Sequence, residues 1–281
     1  MIALLATPGL AQDEEKELGW SDTAEFSLVA TSGNSEATSL GFKNTTYRSW
    51  EKALFELKLA GLRVETTTRT GAAIQRPDGS FEPLEVTAVT AESYYAGANY
   101  NRTISKNFFW YAGLVWERNT FAGFDSRTIV EGGVGNLWSE TKKQRWFTRY
   151  AATYTDQRDV VPRPDFDGKF AGLRAQSDYW RKFGENGNTK YVNQTVIDFN
   201  LDQTEDWRVD MLNSVSVKMT EMLAMQAGLR WLYDNDPAVA ALGLVDGNGD
   251  PITGPGGDQI IVDVPLDELD TIFTVSLVVE F

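Results

Sequence analysis

The stretch TIFTVSLVVEF (271–281) closes the chain, and its alternate residues Phe273, Val275, Leu277, Val279 and Phe281 are all apolar. A strand sends successive side chains to opposite faces, so these five share one face. The residues between them, Ile272, Thr274, Ser276, Val278 and Glu280, are mixed. A wholly apolar face on a terminal strand suits a barrel whose outer wall meets lipid, because hydrocarbon cannot solvate polar groups. In that reading the last strand closes the barrel against the first.

The same period of two recurs along the chain, whereas a period of 3.6 is hard to find. In NFFWYAGLVWERN (107–119), Phe108, Trp110, Ala112, Leu114 and Trp116 oppose Phe109, Tyr111, Gly113, Val115 and Glu117. In WRVDMLNSVSVKMT (207–220), Trp207, Val209, Met211, Asn213, Val215, Val217 and Met219 share the apolar face. Such segments predict about twelve strands, near 20–32, 35–48, 52–66, 87–102, 107–119, 126–139, 144–158, 168–182, 189–202, 206–220, 222–234 and 270–281. A phase slip near Gly61 predicts a bulge there.

Connections after even-numbered strands are short (49–52, 104–107, 140–144, 184–188, 220–222). Those after odd-numbered strands are mostly long (67–86, 119–126, 159–168, 235–269). Short turns on one rim and long loops on the other mark an up-and-down outer-membrane barrel. Phe108 and Trp116 stand eight residues apart on one face, as do Trp146 and Tyr154. Eight residues climb roughly 20 Å at ~3.3 Å each and a ~40° tilt, close to the ~25 Å apolar band between aromatic girdles. The expected fold is therefore all-β, a transmembrane antiparallel up-and-down β-barrel of about twelve strands.

Composition sets limits on function. The 281 residues include no Cys and no His. That excludes Cys nucleophiles, Ser-His triads and the usual structural zinc sites. Mean hydropathy is −0.32, and no apolar run approaches the ~18 residues of a spanning helix. The net charge is −14, and the segment after Arg230 holds ten acids and no Lys or Arg. Such a chain is a poor nucleic-acid binder, and none is expected as a partner.

Residues 1–11 (MIALLATPGLA) read as the end of a secretory signal peptide lacking its positive n-region. Residues 12–18 form a short acidic segment, and 19–281 the barrel, interrupted by a long acidic loop at 235–269. That loop is expected to be mobile and exterior, since its acids repel and its Pro and Gly resist regular structure.

The hairpin SLVATSGNSEATSLGFKNTTYRS (27–49) resembles the opening of the DUF481 family of salt-induced outer-membrane proteins. YYAGANYNRTISKNFFWYAGLVWERN (94–119), VEGGVGNLW (130–138) and the final Phe are similar too. The resemblance implies a porin-like barrel in the outer membrane of a Gram-negative bacterium. Its partners would be membrane lipid, lipopolysaccharide and the barrel assembly machinery. The assembly machinery would read a C-terminal signal carried by Phe281, Val279 and Leu277. The family supplies no catalytic residues.

Three groups of residues are candidates for a site. Inward-facing charges include Glu25, Lys43, Glu117, Glu131, Arg149, Arg174, Asp178, Asp198, Arg208, Asp210, Lys218 and Arg230. They line a polar pore or form a salt-bridged plug. About eight strands leave a filled interior and ~16 a channel, so twelve leaves both readings open. Asp246, Asn248 and Asp250 in DGNGD (246–250) have the spacing that opens a calcium loop. Pro251 and Gly257 stand where that loop needs its turn Gly and bidentate Glu. The alternative, which the half-present motif favours, is a Gly-Asn turn. Gly132, Gly133 and Gly135 mark either a ligand approach or relief of curvature.

The expected role is passive: a monomeric narrow channel or structural envelope protein, with no cofactor and no catalysis. A barrel enzyme is disfavoured by the absence of His for proton transfer. A soluble β-barrel binder would reverse the two faces.

Overall fold

The computed structural model describes residues 18–31, 36–78, 81–120, 122–162, 167–184, 186–247 and 250–280. The barrel strands begin with β1 (Gly19–Thr31), β2 (Glu36–Trp50), β3 (Ala53–Gln75) and β4 (Phe81–Ser105). They continue with β5 (Phe108–Asn119), β6 (Phe124–Thr141), β7 (Gln144–Asp159) and β8 (Lys169–Phe183). β9 (Thr189–Asn200), β10 (Trp207–Lys218) and β11 (Leu223–Asp234) follow, and β14 (Leu269–Glu280) completes the wall. Each strand pairs with its sequence neighbour, and β14 joins β11 to β1, giving a closed antiparallel barrel of twelve strands. β12 (Val239–Gly243) and β13 (Ile261–Pro265) form a separate two-stranded sheet.

The alternation places the apolar face outward. On β5, Trp110, Leu114 and Trp116 are exposed while Tyr111, Val115 and Glu117 are buried. On β14, Phe273, Val275 and Leu277 are exposed and Val278 is buried. Aromatic rings gather near the short-turn rim, with contacts from Trp50 to Tyr100, Tyr100 to Trp110, and Trp138 to Trp146. Trp116, Tyr154 and Phe199 are exposed nearer the other rim, where Trp207 meets Tyr233 with ring centroids 5.0 Å apart.

Polar side chains on the outer face pair among themselves. Trp138 Nε1 donates to Thr148 Oγ1 at 2.9 Å, and Trp146 Nε1 to Ser177 Oγ at 3.1 Å. Asn213 Oδ1 accepts from Tyr191 Oη at 2.6 Å and from Asn193 Nδ2 at 2.9 Å. These bonds let an asparagine sit on an otherwise apolar face.

The short turns close on local chemistry. Thr141 Oγ1 accepts the Gln144 N–H at 3.0 Å, and Thr220 Oγ1 accepts the Leu223 N–H at 3.0 Å.

Three expectations need correction. The long loop expected at 67–86 is the projecting end of the β3–β4 hairpin, with register shifts at Val64/Glu65 and Arg69/Ala73. Thr- and Val-rich sequence there favours strand, but residues 85–89 are all exposed, without the half-buried alternation that marks a wall strand. The bulge expected near Gly61 falls at Val64/Glu65, while Gly61 pairs in register with Phe42 and Tyr94.

Finally, 235–269 carries regular structure. β12 and β13 pair over five residues, and bridges join Val245 to Pro251 and Thr253 to Gln259. The root of this segment packs into the barrel mouth. Ala238 is buried, its carbonyl accepts the Leu266 N–H at 2.9 Å, and its Cβ occupies the space a Gly123 Cβ would need. Gly123 also adopts φ +77°, which favours glycine. The expected signal-peptide remnant, Phe281 and Asn248 lie outside the described residues.

Candidate functional site

The lumen divides into two levels. Near the short turns, Tyr47, Tyr111, Phe147, Trp180 and Val192 point inward, each three residues from the short-turn end of its strand. They therefore form one layer. Tyr111 is 1 % exposed, Tyr47 and Phe147 2 %, and Trp180 3 %. Phe109 reinforces the layer, its ring 6.2 Å from that of Phe147 and edge-on to it. Side chains lining a continuous water column would be wetted, and these are not.

The glycines of β6 serve that layer. A Cβ on Gly135 would fall 2.2 Å from the Phe109 ring, so glycine at 135 makes room for that side chain. A Cβ on Gly133 would lie 2.0 Å from the Tyr150 carbonyl oxygen, so glycine lets β6 and β7 approach. Neither opens a route to a ligand.

Buried ion pairs fill the rest of the interior. Lys43 meets Glu25 at 2.5 Å, Lys58 meets Glu56 at 2.6 Å, and Arg127 meets Glu117 at 2.5 Å. Arg174 bridges Glu131 at 2.9 Å and Asp198 at 2.6 Å. Arg208 reaches Asp206 at 3.2 Å and Asp234 at 3.0 Å, and Arg230 pairs with Asp210. Asp178 accepts from Gln176 at 2.7 Å and Gln194 at 2.5 Å. Lone charges in such a site would be costly, and the pairing compensates them.

Arg149 is held differently. It is 7 % exposed, its guanidinium lies 5.2 Å from the Tyr111 ring centroid and 5.0 Å from that of Phe147, and its Nε has no acceptor. Cation–π contact anchors it above the buried layer.

Above that layer a cavity of about 240 Å³ reaches toward the long-loop rim, where Pro237, Ala238 and Leu266 narrow its mouth. Five cations and eight carboxylates border it, so its field is net negative.

The lumen residues expected from sequence come together here: Arg149, Arg174, Asp198, Arg208 and Asp210 border the cavity. Asp178 is buried below it, and Arg230 is buried beside Asp210. Lys218 stands apart, exposed at the short-turn end of β10. Sequence reading missed Glu56, Lys58, Arg127, Asp206 and Asp234. The β3 pair stands in the phase opposite to Phe55, Leu57 and Leu59, so the alternation there could have found it. Asp206 precedes its strand, where it pairs with Arg208 and accepts from Asn200 Nδ2 at 3.0 Å.

At the acidic turn, Asp246 Oδ1 accepts the Asp250 N–H at 2.9 Å, and the Asp246 N–H donates to the Asp250 carbonyl at 2.8 Å. Those bonds build a turn and occupy a would-be cation ligand. Among the described residues no cluster of three or more acidic side chains could hold a metal ion.

The model of a family described as "Protein of unknown function, DUF481" matches residues 24–241, from β1 into β12. The chain belongs to the DUF481 family. The match covers both levels of the lumen but stops before β14, whose Val279 and Leu277 pair with β1 and β11 to close this DUF481 barrel.

A search of curated proteins finds no match. Among solved structures, the NanC porin in a rhombohedral crystal form is similar at 10% identity and TM-score 0.43, over 92% of this chain and 98% of that one. An anion-selective porin from Comamonas acidovorans is similar at 11% identity and TM-score 0.38, over 94% and 98%. The KdgM porin in complex with disordered oligogalacturonate gives 8% identity and TM-score 0.38, over 93% and 99%. Likenesses this loose say nothing about solute or selectivity for the DUF481 chain.

Proposed function

We propose that this protein is an integral barrel of a bacterial outer membrane whose lumen is closed at rest. It is an envelope protein with a water-filled vestibule. The observation that carries this reading is the single buried layer of Tyr47, Tyr111, Phe147, Trp180 and Val192 beneath the charged cavity. The membrane placement rests on the exposed apolar belt between aromatic rings.

The role is non-catalytic and the protein acts as a monomer. The chain has no His or Cys, and most vestibule charges are engaged in ion pairs. Its partners are membrane lipid, lipopolysaccharide on the long-loop side, and the assembly machinery that inserts the barrel. A narrow, gated channel is the second reading. It is favoured by the depth of the vestibule, which already reaches Lys58 and Arg149.

Purified protein reconstituted into lipid vesicles loaded with a small cationic dye tests the reading. Retained dye, with the protein extracted only by detergent, supports a closed membrane barrel. Rapid leakage overturns the closure, and recovery as a soluble protein without detergent overturns the membrane placement.

A further inference from the structure

The barrel seam is incompletely zipped. β1 pairs with β2 along thirteen residues and β14 with β11 along eleven. Among the described residues four pairs form between β1 and β14, from Thr23↔Glu280 to Phe26↔Leu277. The remaining residues of both strands, Ser27–Thr31 and 269–276, lie toward the long-loop rim and face one another without a ladder. Peptide groups on unpaired edges need hydrogen-bond partners, and hydrocarbon supplies none.

A cavity of about 80 Å³ lies where pairing stops. Its walls combine the two faces of the barrel. Leu212, Ile272 and Ser276 come from the inner face, whereas Phe26 and Phe42 are outward rings 5.3 Å apart. Phe26 stands beside the β1–β14 gap that this cavity adjoins, and its ring packs on Phe42 across the β1–β2 ladder. Gly41 keeps it open on the inner side, since a Cβ there would fall 2.3 Å from Ser27 Oγ. The two cations on its border, Lys43 and Arg230, are already paired with Glu25 and Asp210. What remains for a ligand is hydroxyl and peptide groups inside and apolar rings outside.

We propose that this gap is a lateral portal for a membrane-borne amphiphile with an uncharged polar head and a single alkyl chain. The head hydrogen-bonds to Thr274 and the free strand edges, while the chain runs out through the β1–β14 gap past Phe26 into the bilayer. The portal rests on the membrane placement above and adds to it a ligand and a route that bypasses the blocked lumen.

The test uses an alkyl glycoside bearing a photoactivatable diazirine on its first methylenes, in phosphatidylcholine vesicles containing the whole protein. Continuing the observed register would place Ser27 opposite Ser276. The chain has no cysteine, so Ser27→Cys with Ser276→Cys gives one defined lock, closed by oxidation or by a short bifunctional thiol reagent. Its reduced form controls for folding. The expected result is adducts on inward Leu212 and Ile272 in wild type and reduced variant, reduced at least tenfold in the locked form, while outward Phe273 and Val275 label in all three. Adducts confined to outward positions overturn the portal but keep the membrane placement. Inward labelling unchanged by the lock also overturns the portal. An absence of adducts on outward residues as well overturns the membrane placement itself.

Discussion

Arginine at Leu114 and arginine at Asn99 should have very different costs, though the two sites lie at nearly the same depth on neighbouring strands, Asn99 pairing with Gly113. Leu114 points outward and is 52 % exposed, four residues from Trp110 and two from Trp116. At ~3.3 Å per residue and ~40° tilt, that sets it roughly 10 Å inside one aromatic girdle and 5 Å inside the other. Arginine costs about 2–4 kcal/mol at mid-bilayer and about 0–1 near the interfaces, so Leu114→Arg should cost about 2 kcal/mol. That is about a 30-fold shift in the folding equilibrium.

Asn99 points inward and borders the 240 Å³ cavity, with Glu117 and Glu131 on the same wall and its own Oδ1 unpartnered. An arginine there gains acidic neighbours and has space, so Asn99→Arg should cost less than about 1 kcal/mol, well short of a buried unpaired charge. Reversible urea unfolding in lipid vesicles, followed by tryptophan fluorescence and heat-modifiable gel mobility, measures both. In a water-soluble barrel Leu114→Arg would be a surface change within about 0.5 kcal/mol. Equal costs, or a larger cost at Asn99, would refute the assignment of faces.

Lys58→Met leaves Glu56 buried without its ion partner and should cost about 3 kcal/mol in the same urea assay, whereas adding Glu56→Leu should recover most of it. Gly168 adopts φ +75° and its Cβ would lie 1.9 Å from the Gln157 carbonyl oxygen, while Gly184 adopts φ +81° in open space. Gly168→Ala should therefore lower the urea midpoint clearly more than Gly184→Ala, whose cost is limited to about 1–2 kcal/mol of backbone strain. Deleting Phe281 should leave the protein unassembled in cells yet able to refold in detergent, and a heat-modifiable deletion variant recovered from cell membranes would count against an assembly role.

The wall was legible because lipid imposes one rule on every spanning strand. Leu114, Val130, Tyr150 and Val275 lie on exposed faces for the same reason, and period two exposes it directly in the sequence. The same rule fails where no lipid is present. In the projecting end of the β3–β4 hairpin residues 85–89 are all exposed, and its Thr-rich sequence reads as a loop. The packing of Ala238 on Gly123 joins residues far apart in sequence and leaves no local pattern.

Inward charges were visible as polar residues in the phase opposite to the apolar face. Their pairing was not, because Arg174 reaches both Asp198 on the adjacent strand and Glu131 two strands away on β6. Whether the lumen was open could not be read from strand number. The proposed closure rests on Phe109, Phe147 and Trp180, aromatic residues in the inward phase, where a water-filled pore would carry polar ones.

Ion conductance across a planar bilayer tests the closed lumen most directly. Wild-type protein should insert and produce no ohmic steps, while Phe147→Ala combined with Tyr47→Ala, which empties part of the blocking layer, should produce discrete steps with cation preference from the net-negative vestibule. Steady wild-type conductance equal to that of the double variant would contradict the account.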